Sequence, residues 1–299
     1  MSSSQNGGAE RPTFTVKAPS GGWLYPWPNV AELSGVLPTD QWTLIGGLMT
    51  QMHAINRGVD AVRPTNDVDI VLHIETTRGM PNATADALEQ VGYKIKANIH
   101  PRNNVGHRFT RGTTHIDVVT SGAEIDEVKD TSEVGAIGDA SAGSDADRAD
   151  GESSAKDVVD VVIADHPAPS VEEKMRSRDM VKIEGGTQAL RRTANYRLEI
   201  AKGEHIIISV PRPFGALILK AAAYKADTRD RDRHLQDAAV LLACIEDPDA
   251  ERDGFAGTDR SRLLTLEREL VDENPAWLLM PEPDARRGQA VLRLLCAPD

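Results

Sequence analysis

The chain is poor in aromatic side chains, with four Trp, four Tyr and four Phe among 299 residues. Its core must therefore be assembled from Ala, Val, Leu and Ile. Two cysteines, Cys244 and Cys296, are too few for a disulfide framework. Both sit in apolar, helix-like surroundings and read as reduced core residues of a cytoplasmic protein. No apolar run is long enough to span a bilayer, and the opening MSSSQNGGAERPTF has no signal-peptide apolar region, so no membrane partner is expected. Positive charge is in deficit as well, with a formal net charge of −12.

That deficit is local. Residues 121–165 hold 13 acidic and 3 basic side chains and so carry −10 of the −12, leaving the rest of the chain near balance. Basic residues are frequent from Lys174 to Arg233, which keeps a phosphate-rich ligand such as RNA compatible with the sequence. Taken singly, most of these residues read as a solvated face.

The first 20 or so residues are rich in Ser, Gly and Pro and are expected to be disordered. From residue 21 to 210 the pattern is strands mixed with helices. WTLIGG is a short strand ending in glycines. Leu48, Met52 and Ile55 then recur at helical spacing up to Gly58, and DVDIVLHI is a strand. ATADALEQVGYKI predicts a helix closed by Gly92. HRFTRG and THIDVVT predict a strand pair around a Gly-containing turn. Residues 121–156 are low in complexity and read as a flexible acidic insertion, after which DVVDVVIADH resumes the strand pattern. Residues 211–299 are mainly helical, beginning with helices from Phe214 to about Ala226 and from Asp232 to about Glu246. Together these predict an α/β (α+β) core with a mixed sheet, followed by a helical C-terminal lobe.

Chemistry concentrates in one stretch, Gly46 to Leu72. Side chains two apart on a strand share a face, so Asp67 and Asp69 project together while Val68 and Ile70 pack behind them. Two carboxylates that close repel each other unless a cation lies between them. Mg²⁺, with its preference for oxygen ligands and substrate phosphates, suits them, and Mn²⁺ can take its place. Asp117, flanked by Ile116 and Val118, supplies a third carboxylate. Asp160 in the similar DVVDVV is the alternative. Three strand carboxylates can hold two metal ions about 3.5–4 Å apart, the arrangement that serves in-line phosphoryl displacement. Gly46 and Gly47 end one strand and open a helix, where free N–H groups favour a phosphate.

These residues resemble a known group. Gly46-Gly47, a 19-residue spacer and Asp67-Val68-Asp69 look like the nucleotidyltransferase fold of the DNA polymerase β superfamily. Arg63-Pro64-Thr65-Asn66-Asp67-Val68-Asp69 is similar to the motif of AbiEii-type nucleotidyltransferase toxins of type IV toxin–antitoxin pairs. The resemblance spans roughly residues 40–120 and, more loosely, 210–245. Gly47 departs from the Gly-Ser of many superfamily members. The resemblance implies transfer of a nucleoside monophosphate from an NTP, such as ATP, to an acceptor. That acceptor would be RNA, specifically the tRNA 3′ end, and a cognate antitoxin would be the protein partner. It also implies that Gly46, Gly47, Arg63, Thr65 and Lys220 bind the nucleotide and that Asp67, Asp69 and Asp117 hold metal. A lysine on one helix and an aspartate on the next are needed in similar toxins, and Lys220 and Asp237 are the matching positions, with Asp232 as a second choice for the aspartate.

Each of these assignments has a plainer reading. Lys220 and Asp237 can form a helix–helix salt bridge, and His234, on the Asp237 face, reads as structural. GGTQALRRT can line the nucleotide or acceptor site through Gly185, Gly186, Thr187 and Gln188, or form an ordinary turn before a solvated Arg191–Arg192 patch. Two other functions stay open. One is transfer to a protein side chain or to an aminoglycoside-like small molecule, and the other is a catalytically silent scaffold of the same fold.

Overall fold

The computed structural model describes residues 11–61, 63–74, 79–96, 108–112, 114–119, 158–163, 174–180, 183 and 185–298. The acidic segment 121–156, with 1–10 of the N-terminal stretch, lies outside these residues.

The first half alternates strands and helices: β1 (Thr13–Val16), α1 (Trp27–Val36), β2 (Trp42–Ile45), α2 (Gly46–Arg57), β3 (Asp67–Leu72), α3 (Met80–Gln90), β4 (Lys94–Ile95), β5 (Arg108–Arg111), β6 (Thr114–Val119) and β7 (Val158–Ile163). After them come β8 (Lys174–Met175), β9 (Arg178–Asp179), α4 (Gly186–Arg191), β10 (Thr193–Ala201) and β11 (Glu204–Pro211). The last third holds α5 (Pro213–Ala226), α6 (Asp232–Cys244), α7 (Pro248–Asp253), α8 (Asp259–Glu269), a 3₁₀ turn (Pro275–Leu279) and α9 (Glu282–Cys296).

The main sheet runs β2-β3-β6-β5-β4 and is mixed: β3 and β6 are parallel, whereas β2 with β3, β5 with β6 and β4 with β5 are antiparallel. Its hydrophobic face follows the period-2 pattern of DVDIVL. Val68, Ile70 and Leu72 are fully buried, and Asp67 and Asp69 alternate with them onto the other face. Helix α2 covers this sheet through Leu48, Met49 and Met52, all fully buried, and ends at Gly58, whose left-handed φ of 73° closes it as expected. The two glycines lie inside the first turn of α2 rather than at the end of β2.

The structure differs from the sequence reading at the N-terminus. Thr13–Val16, within the stretch expected to be disordered, forms β1 and pairs in parallel with β10. Its backbone finds hydrogen-bond partners there that composition does not reveal. β10 and β11 complete this second, three-stranded sheet. A buried hydroxyl relay ties it to the first: Ser209 lies 2.9 Å from Thr43, and Thr43 2.8 Å from His73 Nε2. His73 donates from Nδ1 to Asp40 O (2.8 Å), which fixes Nε2 as an acceptor.

In the helical lobe, α5 carries the expected stripe of Phe214, Leu217, Ile218 and Ala221, all fully buried. It is buried on most of its circumference because α4, α6 and α8 surround it. Cys244 and Cys296 are free and buried, and burial pushes both thiols up to about 12. Among the described residues, no helix is long and apolar enough to cross a membrane.

Candidate active site

The tight turn from β2 into α2 brings the backbone against β3. Gly46 has a left-handed φ of 71°, and a Cβ there would fall 1.6 Å from Asp69 Oδ2. A Cβ on Gly47 would lie 2.7 Å from Thr65 Oγ1 and 2.8 Å from Arg63 Nη2. Both glycines are therefore absences of side chain that the site side chains fill. The Gly47 N–H donates to the Asp69 carboxylate, so in this structure one backbone donor expected to face a phosphate holds Asp69.

Arg63 sits in the loop between α2 and β3 and reaches into the lobe. Its Nε and Nη2 donate to the two carboxylate oxygens of Asp237 at 2.8 and 3.0 Å, a fork-on-carboxylate geometry. Lys220 Nζ, from α5, lies 2.7 Å from Asp237 Oδ2. Lys220 and Asp237 are 5% and 2% exposed, so this carboxylate is buried between two cations. Burial alone would raise its pKa, but Lys220 and Arg63 outweigh it and hold the carboxyl below its ordinary range. Asp69 shows the opposite balance: burial raises its pKa despite Lys220, Arg233, Arg63 and the Gly47 N–H. Arg108 on β5 feels Asp67 and Asp69. The described charges around the turn are thus Asp67, Asp69 and Asp237 against Arg63, Lys220, Arg108 and Arg233.

The structure brings together Gly46, Gly47, Arg63, Thr65, Asp69, Lys220 and Asp237, with Asp67 two residues along β3. The β3–β6 register sets Asp117 opposite Asp69, but its side chain lies outside the described residues, as does that of Asp160. Among the described residues, no group of three His, Cys, Asp or Glu is placed to hold a metal ion. Asp67 and Asp69 form a two-carboxylate oxygen donor set, which suits a hard divalent cation that keeps most of its waters. Asp232 is exposed in the first turn of α6, and Asp237, not Asp232, meets Lys220.

Compared with protein-family models, curated proteins and solved structures, the chain matches none.

His234 is buried beside Lys220. Its Nε2 lies 3.1 Å from Asp227 Oδ2, and burial lowers its pKa to about 4, so it is neutral at physiological pH. GGTQALRRT packs away from the lysine. Gly185 caps α4 and faces Arg262 and Ala222, and Ala222 lies about 200° around α5 from Lys220. Arg192 is held by Asp259 at 2.6 Å. The basic stretch is also partly consumed by local pairs, since Arg176 binds Asp86 and Glu89 and Arg233 binds Asp227. Exposed Lys225, in the last turn of α5, and Arg229, on the segment joining α5 to α6, remain, whereas Arg231 donates to Tyr224 O at 2.9 Å and stacks on its ring; Asp230 comes close enough to influence Arg63.

Sequence reasoning missed Arg108 and Arg233. HRFTRG was legible as a strand, but which neighbour Arg108 would meet depends on long-range register. A cleft lined by His53, Arg57, Tyr196, Arg212 and Glu251 opens at the far end of α2, a helix of about 18 Å, so it is separate from this site.

Proposed function

We propose that the chain is a Mg²⁺-dependent nucleotidyltransferase of polymerase β-like fold that moves an NMP from an NTP to an acceptor hydroxyl and releases pyrophosphate. The observation that carries this reading is the convergence at Gly46-Gly47: a strand carboxylate pair on one side, and on the other a lysine and an arginine gripped by one buried aspartate. Asp67 and Asp69 would hold the metal, with the third carboxylate on the strand beside β3. When bound, the metal neutralises developing phosphate charge and lowers the pKa of the attacking hydroxyl.

The chain's own residues supply the rest. Lys220 and Arg63 both act on Asp69 and suit the triphosphate. Asp237 is their positioning residue, since it holds both charges at fixed points before substrate arrives, so no reorganisation is needed as charge develops on the leaving group. The glycines let Asp69, Thr65 and Arg63 crowd the turn, which draws these side chains together. His234, neutral and tied to Asp227, lies buried within reach of the Lys220 charge.

RNA is the acceptor we favour, because exposed Lys225 and Arg229 lie at the end of the helix that carries Lys220, beside Asp230, which reaches Arg63, and suit a phosphate backbone. The resemblance extends this to the tRNA 3′ end as acceptor, growth inhibition as outcome and a cognate antitoxin as partner. Incubation with each α-labelled NTP, Mg²⁺ and total RNA or lysate tests the reading. Label in RNA is the expected result. Label in protein or in a small molecule redirects the acceptor, and no labelled product from folded protein contradicts the activity.

A further inference from the structure

The cleft at the far end of α2 encloses about 400 Å³, within the usual size range of small-molecule sites. Its walls come from β1, α2, β10 and the chain leaving α6, so the three-stranded sheet and the helical lobe meet there. Two of its lining side chains are polar and almost wholly buried: His53 and Tyr196 are each 2% exposed. His53 Nε2 lies 2.7 Å from Pro211 O, and a carbonyl oxygen only accepts, so Nε2 carries the proton and Nδ1 is a bare acceptor. Tyr196 meets the His53 ring edge-on, with centroids 5.5 Å apart. Its hydroxyl is near Arg212 and Cys244, and burial keeps it protonated and therefore a donor. Neither the Tyr196 hydroxyl nor His53 Nδ1 has a hydrogen-bond partner among the described residues. Buried polar atoms are paired in the large majority of cases, so a donor and an acceptor left open on neighbouring rings of one cleft point to a molecule that pairs both.

The charges of the cleft answer one another. Arg57 is paired with Glu246, Arg212 faces Glu251 at 3.9 Å, and the Asp247 carboxylate accepts from Ala250 N at 3.0 Å to cap α7. What remains to be satisfied is uncharged: one donor and one acceptor. Phe14 adds ring surface beside them. It stacks on Tyr196 with centroids 5.4 Å apart and is itself 43% exposed. We infer that this cleft is a binding site for an uncharged flat heterocycle with neighbouring donor and acceptor atoms, of the nucleoside class. A nucleobase edge sets an N–H beside a carbonyl oxygen or ring nitrogen, which matches His53 Nδ1 and the Tyr196 hydroxyl. Its face is the kind of surface that aromatic side chains such as Phe14 stack upon. The sugar hydroxyls suit the polar rim, where Asn56 and Glu251 line the opening. The assignment stands apart from the nucleotidyl transfer proposed above, because none of its residues belongs to that site.

Calorimetric titration of the full chain with adenosine, guanosine, cytidine and uridine, without divalent metal, tests the site. At least one nucleoside should bind one-to-one. Tyr196→Phe keeps the ring and removes only the hydroxyl, so it should fold normally and weaken that binding roughly 2–10-fold. Phe14→Ala should weaken it roughly 5–100-fold through lost stacking. Thr65→Val, at the Gly47 turn, should leave it unchanged. If Phe14→Ala does not fold, Tyr196→Phe decides alone. No binding of any of the four at millimolar concentration would mean that the cleft holds only solvent, and the inference fails. Binding that Thr65→Val weakens and Tyr196→Phe leaves intact would place the nucleoside at the carboxylates instead, which also overturns it. Tighter binding of the corresponding nucleoside monophosphate than of the nucleoside would show that the site selects an anion and that its charges are not matched as described.

Discussion

Removing Asp237 should cost far more stability than removing Lys220, although the two form one ion pair. Asp237 accepts from Lys220 at 2.7 Å and from the Arg63 fork at 2.8 and 3.0 Å, and is 2% exposed. Asp237→Asn leaves the Lys220 ammonium, 5% exposed, without its ion-pair partner and Arg63 without the carboxylate it grips. Stranding buried charge in this way costs about 3–5 kcal/mol. Lys220→Met leaves Asp237 still neutralised by the bidentate arginine, so its cost should be closer to the ~1–3 kcal/mol of one lost charged hydrogen bond. Lys220→Met with Asp237→Leu replaces both charges with apolar volume and should recover much of the loss. Arg63, with its side chain 25% exposed, turns to solvent. Urea titrations of the four proteins at pH 7 measure the order directly. If Lys220→Met proves as costly as Asp237→Asn, Arg63 is not sharing the load and the three-membered cluster is misread. The same proteins separate stability from chemistry: a stable double mutant that still transfers nucleotide would remove Lys220 from the catalytic machinery.

Three other outcomes follow from the geometry. Gly46→Ala should destabilise the protein by at least ~1–2 kcal/mol from its left-handed backbone alone, and should cut activity further because the new Cβ lands on Asp69; a variant with wild-type melting temperature and turnover would show that the turn does not press on the carboxylate. His53, His73 and His234 are each lowered from 6.5 to about 4 by burial. The unfolded chain takes up their protons first on acidification, so stability should be full above about pH 6.5. It should then fall towards pH 4 at about 1.4 kcal/mol per histidine per pH unit, and a flat profile by chemical denaturation between pH 7 and 5 would contradict their burial as neutral rings. Thr65→Val should weaken nucleotide binding without unfolding the protein, since its hydroxyl lies against Gly47 on the site side of the turn; unchanged nucleotide affinity in a binding titration would move Thr65 out of the site.

Much of this site is legible in the sequence because its parts are local. The period-2 alternation of DVDIVL tells which residues of β3 pack, and Gly58 marks where α2 stops. Phe214, Leu217, Ile218 and Ala221 mark the packed face of α5, and the helical spacing of His234, Asp237 and Leu241 puts Asp237 on an inward face. What depends on distant pairing is not legible. Thr13–Val16 has the composition of a tail, and only the edge of β10, nearly two hundred residues away, makes it a strand. Arg63 sits in a loop motif that shows nothing of its partner, because Asp237 is brought to it by the docking of the lobe. THIDVV is readable as a strand, but its place beside β3 appears only in the register.

The central claim is nucleotidyl transfer through the carboxylates of β3, and pyrophosphate release measures it most directly. An NTP labelled at both the α- and γ-phosphates, with Mg²⁺ and total RNA, should yield labelled pyrophosphate and α-labelled RNA in equal amounts from the wild type. Asp67→Asn and Asp69→Asn, folded by circular dichroism, should lose both products together by on the order of 10²-fold or more. Folded variants that still release pyrophosphate and label RNA at near the wild-type rate would contradict the account.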